Sequence, residues 1–433
     1  MQRIVLENLR SFEGKHTVAL KPLNLLVGEN SSGKSTFLAA ASSLLTSSLI
    51  PTPKGLNTPP YELGSFNAIA TYRGGKAGRK KFFGFGVSIG DDNGPCQGFH
   101  VQYHSIHGRA VIKHYELTAT AGKILIDFTP SGFSGRLSDI PSLPDLVVEF
   151  NATLEVEDLE LSNLTSSIVQ AMTEKQPEAL SKIDISTLFG LLIKMHGQFQ
   201  ELGCSIAPIR SKPQRNYDST IDQYETEGKH VPYLVAKLLL DNAQSAPSKH
   251  LREALKEFGA ESGLYSDLRA ARSGSKDTGP FQIQVTLEGP PRNLTDVGYG
   301  VSQSLPIIAQ LANLKAEKYI FIQQPEVHLH PKAQSALGSF FAALAAKKDR
   351  YYLVETHSDY LIDRVRQEVA AGVIPSTDVQ ILYFEVVKQK TQIFNISLDK
   401  LGNLTEAPPN YRSFFLQERK RLLNRDHQNV PDS

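Results

Sequence analysis

The stretch Gly28-Glu-Asn-Ser-Ser-Gly33-Lys34-Ser35 constrains this chain more than any other. It fits G-x-x-x-x-G-K-[ST] and stands between an all-apolar run, Leu23 to Val27, and a segment from Ser35 to Leu45 that is apolar and small on one side. The first reads as a strand buried on both faces and the second as a helix. Strand, glycine-rich turn and helix are the context in which this spacing cradles phosphates. Gly33 and its neighbours let backbone N–H groups wrap the anion. Lys34 reaches the β and γ phosphates, Ser35 Oγ is placed to ligand Mg²⁺, and the helix N-terminus adds its dipole. ATP with Mg²⁺ is the expected ligand pair.

The rest of the chain must supply a parallel sheet, and it is long enough to do so. At 433 residues, 40% hydrophobic and 21% charged, it can bury a sizeable core as one large or two intimate domains. No run approaches the length that crosses a bilayer, and the strand-like MQRIVLENLRSF has no apolar signal core behind it. The expectation is a cytoplasmic chain with no membrane partner. Lys+Arg 46 against Asp+Glu 45 excludes a globally basic nucleic-acid coat but leaves a local patch open. Cys96 and Cys204 show neither zinc nor disulfide spacing.

Ile4, Leu6 and Leu9 with Val18 and Leu20 read as an opening hairpin, and alternating runs from Phe82 to Phe128 as an antiparallel meander. Helical patterns follow over 158–202, in YLVAKLLLDN and in HLREALKEFG. FQIQVTL, Phe281 to Leu287, reopens α/β structure. A helix from about Ser302, a strand YIFI, a helix after His330, a strand YYLVET, a helix DYLIDRVRQEV and a strand ILYFEV then alternate. That alternation implies a parallel sheet with crossover helices. The expected organisation is an N-terminal ATPase lobe over 1–130 and a mainly helical insertion over 131–280. A C-terminal ATPase lobe over 281–400 and a tail over 401–433 complete it.

Three further motifs follow the phosphate loop. Asp296-Val-Gly298-Tyr-Gly300-Val-Ser302-Gln303 is a glycine-rich loop opening a helix, either a second phosphate-binding terminus or ordinary capping with Ser302 as N-cap. Tyr319 to Ile322 is an apolar strand that ends in Gln323-Gln324-Pro-Glu326, where enzymes of this kind usually place carboxylates for Mg²⁺ and for the attacking water. His328 and His330 in that turn read as packing or structural hydrogen bonds. Tyr351 to Val354 deliver Glu355-Thr356-His357-Ser358, and His357 has the donor chemistry to bond a γ-phosphate. The cluster Arg73, Lys76, Arg79, Lys80 and Lys81 is either a track for DNA phosphates or a solvated hairpin tip.

Phosphate loop, glycine-rich signature, strand before Pro-Glu and switch histidine, in that order, resemble an ABC-type ATPase head of the RecF/SMC/OLD-like branch. The opening Ile4, Leu6, Asn8, Arg10, Ser11 and Phe12 resemble that branch's first strand and turn. GYGVSQSLPI, PEVHLHPKAQ, VETHSDYLIDRVR, IAPIRSKPQRNY (Ile206 to Tyr217) and LDKLGNLTEAPPNYRSFFLQE resemble stand-alone prokaryotic AAA-type ATPases, many of them encoded in antiviral defence or DNA-maintenance systems.

The resemblance implies an α/β, ABC-ATPase-like P-loop fold with a parallel core sheet, an antiparallel β subdomain and a helical insertion. It implies a homodimer or higher homo-oligomer in which ATP on Gly28 to Thr36 of one subunit is closed over by the signature loop of the other. Ser302 and Gln303 would then face the partner's γ-phosphate, while Asn30 and His357 contact the phosphate end in cis. Gln323 replaces the Mg²⁺-associated carboxylate and Gln324 occupies the catalytic-acid position. An amide there can still bond water or the metal's hydration shell, but it carries no charge and cannot act as a base. Gln324 has precedent in that group and Gln323 is the sharper departure, so the expectation is an ATPase head that binds ATP, dimerises and hydrolyses slowly through Gln323, whether as a bound-state trap or as a nucleotide-gated clamp. No Asp-x-Asp follows His357, so effector chemistry is expected on a separate protein, a nuclease or toxin. The alternative is a RecF-like clamp that binds DNA in an ATP-dependent way.

Overall fold

Leu23, Leu25 and Val27 face one way and Leu26 the other, and this alternation divides the core of the protein in two. The computed structural model describes residues 2–46, 57–75, 78–90, 97–120, 122–140, 147–152, 202–218, 223–241, 244–272 and 279–411, with short pieces between 166 and 174. The hairpin forms as β1 (Gln2–Leu9) and β2 (Phe12–Ala19). β3 (Leu23–Gly28) then leads through the phosphate loop into α1 (Lys34–Thr46), and one helical turn, α2 (Phe66–Ile69), follows.

The meander is β4 (Phe82–Ile89), β5 (Gln97–Ile106), β6 (Arg109–Ala119) and β7 (Gly122–Thr129). It runs on past Phe128 into β8 (Gly132–Ser138) and β9 (Val148–Ala152). GFSGRLS offers only Phe133 and Leu137 to the core, which is too sparse an alternation to announce a strand. Because β1 also pairs with β4, hairpin and meander form one eight-stranded antiparallel sheet in the order β2-β1-β4-β5-β6-β7-β8-β9.

After β10 (Leu202–Ile206), α3 (Val231–Ala236) passes into a π-turn over Lys237–Asp241, and α4 (Ala246–Ser262) follows. FQIQVTL forms a strand, but not in the parallel sheet it was expected to reopen. It is the centre of a separate antiparallel sheet of β11 (Asp267–Arg272), β12 (Phe281–Thr286) and β13 (Arg292–Asn293). Its clean alternation of buried and half-buried residues is the mark of a sheet covered on one face, as antiparallel sheets are.

The expected alternation comes next: α5 (Tyr299–Ala312), β14 (Glu317–Gln323), α6 (Pro331–Ala345), β15 (Tyr351–Glu355), α7 (Asp359–Ala370) and β16 (Val379–Val387). β17 (Lys390–Leu398) and β18 (Leu404–Thr405) close the chain's described part. The second sheet has the order β10-β14-β15-β3-β16-β17-β18, parallel from β10 to β16 and antiparallel beyond. The fold is mixed α/β, a parallel sheet that carries the glycine-rich loop beside an antiparallel one. The helical reading of 158–202 and the tail after Tyr411 fall almost wholly outside the described residues.

α1 is buried almost all round because it lies between the two sheets. Phe37, Leu38 and Leu44 pack with the antiparallel sheet and with Phe321, Leu353, Leu382 and Phe384. On the opposite face, Ile320, Ile322, Val354 and Ile381 pack against α3 to α7. The N-terminal turn props the loop from below: Thr391 Oγ1 bridges Ser11 Oγ at 2.6 Å and the Ser32 carbonyl at 2.8 Å, and Arg10 Nη1 lies 3.3 Å from Thr36 Oγ1.

Gly28 has φ +142°, and a Cβ there would collide with the Phe384 carbonyl of β16. Gly33 has φ +107°, and its Cβ would come 2.8 Å from the Phe12 ring. Gly28→Ala is therefore expected to cost about 2–4 kcal/mol through strain and overlap together. A chemical-denaturation midpoint equal to wild type would contradict this account of the loop.

Candidate functional site

Period two decides what the site contains. Gln323 shares the face of Phe321 on β14, and Glu355 shares the face of Leu353 on β15. Both side chains are thereby directed to the α1 side, at the carboxyl ends of parallel strands, where α/β sheets bind ligands. β15 lies between β14 and β3, with Gln323 opposite Glu355 and Glu355 opposite Leu26.

Lys34 is buried, and its ammonium donates to the Gly28 carbonyl at 2.9 Å and the Glu29 carbonyl at 2.7 Å. Burial lowers its pKa, while Glu355 and Glu29 pull it back up. Ser35 is exposed, and its hydroxyl faces both oxygens of Glu355, at 2.9 and 3.0 Å. Gln323 Nε2 lies 3.5 Å from Glu355 Oε2. The structure thus brings together Gly33, Lys34, Ser35, Thr36 and Gln323, and adds Glu355, which the motif reading passed over as the residue before Thr-His-Ser. Its register one strand nearer the phosphate loop is the signal that could have found it, had the strand order been known.

Gln324 opens the turn in the left-handed region, φ +42°, with its N–H bonded to the Glu355 carbonyl at 2.8 Å. His357 is exposed, and its backbone N–H donates to Glu326 Oε1 at 2.6 Å. Burial first, then the Lys34 charge, holds the His357 imidazole below its usual pKa. It is therefore neutral at pH 7, with one N–H to donate. Asn30 is exposed at the loop tip. His328 and His330 are structural in this fold. The His328 ring meets Tyr299 edge-on at 5.0 Å, and His330 Nδ1 accepts from the Lys332 N–H at 3.4 Å to cap α6.

The signature residues stand apart from this group. α5 starts at Tyr299 after Gly298, so Ser302 is not the N-cap. Its hydroxyl donates to the Tyr299 carbonyl at 2.8 Å. Ser302 and Gln303 are 5% and 2% exposed, and Gln303 Nε2 has no hydrogen-bond partner among the described residues. Asp296, Gly298 and Tyr299 form the open part of that loop.

The segment Ile206 to Tyr217 ties the two halves of the site together. Buried Arg210 donates through Nη2 to the Gln323 and Gln324 carbonyls, at 3.4 and 3.0 Å. Arg215 pairs in bidentate fashion with Asp296 at 3.0 and 2.5 Å, and Asn293 Nδ2 holds the Arg215 carbonyl at 2.8 Å. One segment thus grips both the Gln-Gln turn and the signature loop. In the basic cluster, Arg73 and Lys80 pair with Glu13, and Arg79 bonds the Asn67 and Ala70 carbonyls and lies over Tyr72. Lys76 lies outside the described residues. Three of its five cations are thus engaged by the chain itself.

Solved structures with a related arrangement are of low similarity. A structure of the Smc head bound to the C-winged helix domain of ScpA is 13% identical, with a TM-score of 0.45 over 92% of this chain and 98% of that one. The Smc head with an extended coiled coil, bound to the C-terminal domain of ScpA derived from Pyrococcus furiosus, is 10% identical, with a TM-score of 0.44 over 97% and 100%. The SMC head domain from Thermotoga maritima is 9% identical, with a TM-score of 0.39 over 90% and 97%. Comparison with curated proteins returns no match. Among the described residues no helix is long and apolar enough to cross a membrane. Family models give a firmer result. The AAA domain model matches residues 3–189, which contain the phosphate loop, and the AAA ATPase domain model matches residues 123–362, which contain the signature, the Gln-Gln turn and His357. The second match spans more than half of the chain, and the chain belongs to the AAA ATPase domain family.

Proposed function

We propose that this protein is an ABC-type ATPase head that binds Mg²⁺·ATP and works as a nucleotide-gated dimeric switch, hydrolysing slowly and controlling a separate effector. The observation that carries this reading is the convergence of Lys34, Ser35, Gln323 and Glu355 at the carboxyl end of one sheet, with Ser302 and Gln303 joined to it by no hydrogen bond among the described residues. The residues suit the ligand. A glycine loop admits no Cβ at Gly28, an ammonium sits within it, and one hydroxyl with one carboxylate is a donor set typical of Mg²⁺ sites completed by phosphates and water. Bound Mg²⁺ would neutralise charge on the transferring phosphoryl group. Lys34 would hold the phosphates, and neutral His357 would offer them one N–H.

A second copy would complete the site through Asp296 to Tyr299, with Ser302 and Gln303 behind them. Their burial in one chain means that the first turn of α5 must shift as the dimer closes. The effector, a nuclease or toxin in anti-phage defence, follows from the resemblance of the motifs alone. The RecF-like alternative requires DNA binding that strengthens with ATP and weakens with salt. Arg73, Arg79 and Lys80 already have partners within the chain, which favours the switch.

Sedimentation with and without ATP tests the dimer, which should form only with nucleotide. Phosphate release tests the slow turnover. An amide cannot take a proton from water, and a placed carboxylate contributes about 10²-fold or more. Gln324→Glu should therefore raise kcat by about that factor, while Gln323→Glu should not. Vigorous turnover by the unaltered chain, equal to that of Gln324→Glu, would sink the slow-switch reading.

A further inference from the structure

We propose that Glu355, at the end of β15, supplies the metal-side carboxylate that Gln323 does not, so that the site's negative charge has moved one strand toward the phosphate loop. The inference rests on the reading of the chain as a Mg²⁺·ATP-binding head.

Topology makes the move possible. β15 is inserted between β14 and β3, and the register that sets Gln323 opposite Glu355 also sets Glu355 opposite Leu26, two residues before Gly28. The carboxylate is therefore closer to the loop than position 323 is. Its contacts are those of a metal ligand's surroundings. Both oxygens lie within 3.0 Å of Ser35 Oγ, the hydroxyl that a loop of this kind offers to Mg²⁺.

Gln323 Nε2 lies 3.5 Å from Glu355 Oε2, so the amide is placed to donate toward the carboxylate. Glutamate at 323 would set two buried carboxylates side by side, and like charges so placed repel unless a cation lies between them. Gln323 and Glu355 thus read as a matched pair that carries one negative charge between them.

Burial makes the same point. Glu355 is 4% exposed, yet among the described residues its side-chain hydrogen bonds go only to a hydroxyl and an amide. The Lys34 ammonium feels its charge, but that group's own hydrogen bonds go to the Gly28 and Glu29 carbonyls. A buried charge is ordinarily paired or bound to a metal. Here a cation held between Glu355, Ser35 and the phosphates would balance it.

The test uses the full chain, mant-ATP as fluorescent probe and Mn²⁺ as the spin-active ion. Wild type should bind mant-ATP in EDTA and bind Mn²⁺ in the nucleotide complex. Glu355→Gln should weaken that Mn²⁺ binding by about 10- to 100-fold or more, since disturbing even the outer-shell partners of a metal costs about that much. Its mant-ATP affinity in EDTA should stay within a few-fold. The exchange Gln323→Glu with Glu355→Gln should recover part of the loss. Mn²⁺ affinity unchanged in Glu355→Gln would overturn the inference alone, whereas a wild-type chain that binds no mant-ATP at all would overturn the ATP reading and this inference with it. Should Glu355→Gln not fold, Gln323→Glu decides. Its melting temperature should fall in EDTA and return with Mn²⁺ and nucleotide, and no fall would overturn the proposal.

Discussion

Arg210→Ala is expected to destabilise the chain by about 2–4 kcal/mol and to abolish nucleotide binding in the same variant. Arg210 is 2% exposed, and burial pushes its pKa down to about 10, against the pull of nearby Glu326. It donates to the carbonyls of Gln323 and Gln324, in the turn that brings β14 to the site and in which Gln324 is held at positive φ. Although the Gln324 carbonyl keeps the Val327 N–H at 3.3 Å, truncation removes the guanidinium donor from both carbonyls. It also leaves Glu326, whose carboxyl burial already pushes up, without a neighbouring cation. Through its bond to the His357 backbone N–H, Glu326 passes the disturbance to that residue.

Two of the guanidinium's own nitrogens, Nε and Nη1, have no hydrogen-bond partner among the described residues, so Arg210 bears a desolvation cost that a hydrophobic residue would not. Arg210→Met separates the two effects. If the side chain braces the turn, Met at 210 keeps much of the stability in urea denaturation but still loses mant-ATP binding. A methionine variant that binds nucleotide like wild type would remove Arg210 from any account of the site.

Lys34→Ala should lower ATP affinity by about 100-fold or more, since hydrogen bonds to a charged group contribute about 1.5–3 kcal/mol each and the ammonium is placed to make more than one. Its effect on folding should be small or even favourable. The ammonium is buried with two backbone carbonyls as its hydrogen-bond partners, and burial lowers its pKa, so removing it relieves a desolvation cost. Titration calorimetry with ATP and a thermal melt on the same preparation check both halves. Affinity retained in Lys34→Ala would mean that the loop does not grip phosphate through this residue.

These expectations draw unequally on sequence and structure. The phosphate loop, the hairpin and the run from α5 to β16 were legible because each is written in local spacing: glycines at a turn, period two in strands, an apolar stripe in helices. β8, β10 and β11 were missed because their apolar residues are too sparse to announce a strand, and what makes them strands is pairing with other segments. FQIQVTL was read correctly as a strand and wrongly as part of the parallel sheet, since a strand's own residues do not name its neighbour.

The sequence by itself determined that a phosphate-binding loop is followed by a signature loop, a strand ending in two amides and a strand ending in Glu355 and His357. Alternation along any strand also sets Gln323 on the face of Phe321 and Glu355 on that of Leu353, though not which face meets α1. Only the tertiary structure decided that β15 enters the sheet between β14 and β3 and that Arg210 reaches across to the back of the Gln-Gln turn. Strand order is set by how crossover helices pack on the sheet, a contact between segments far apart in the chain. That is why the carboxylate facing Ser35 comes from position 355, while the motif pointed to 323.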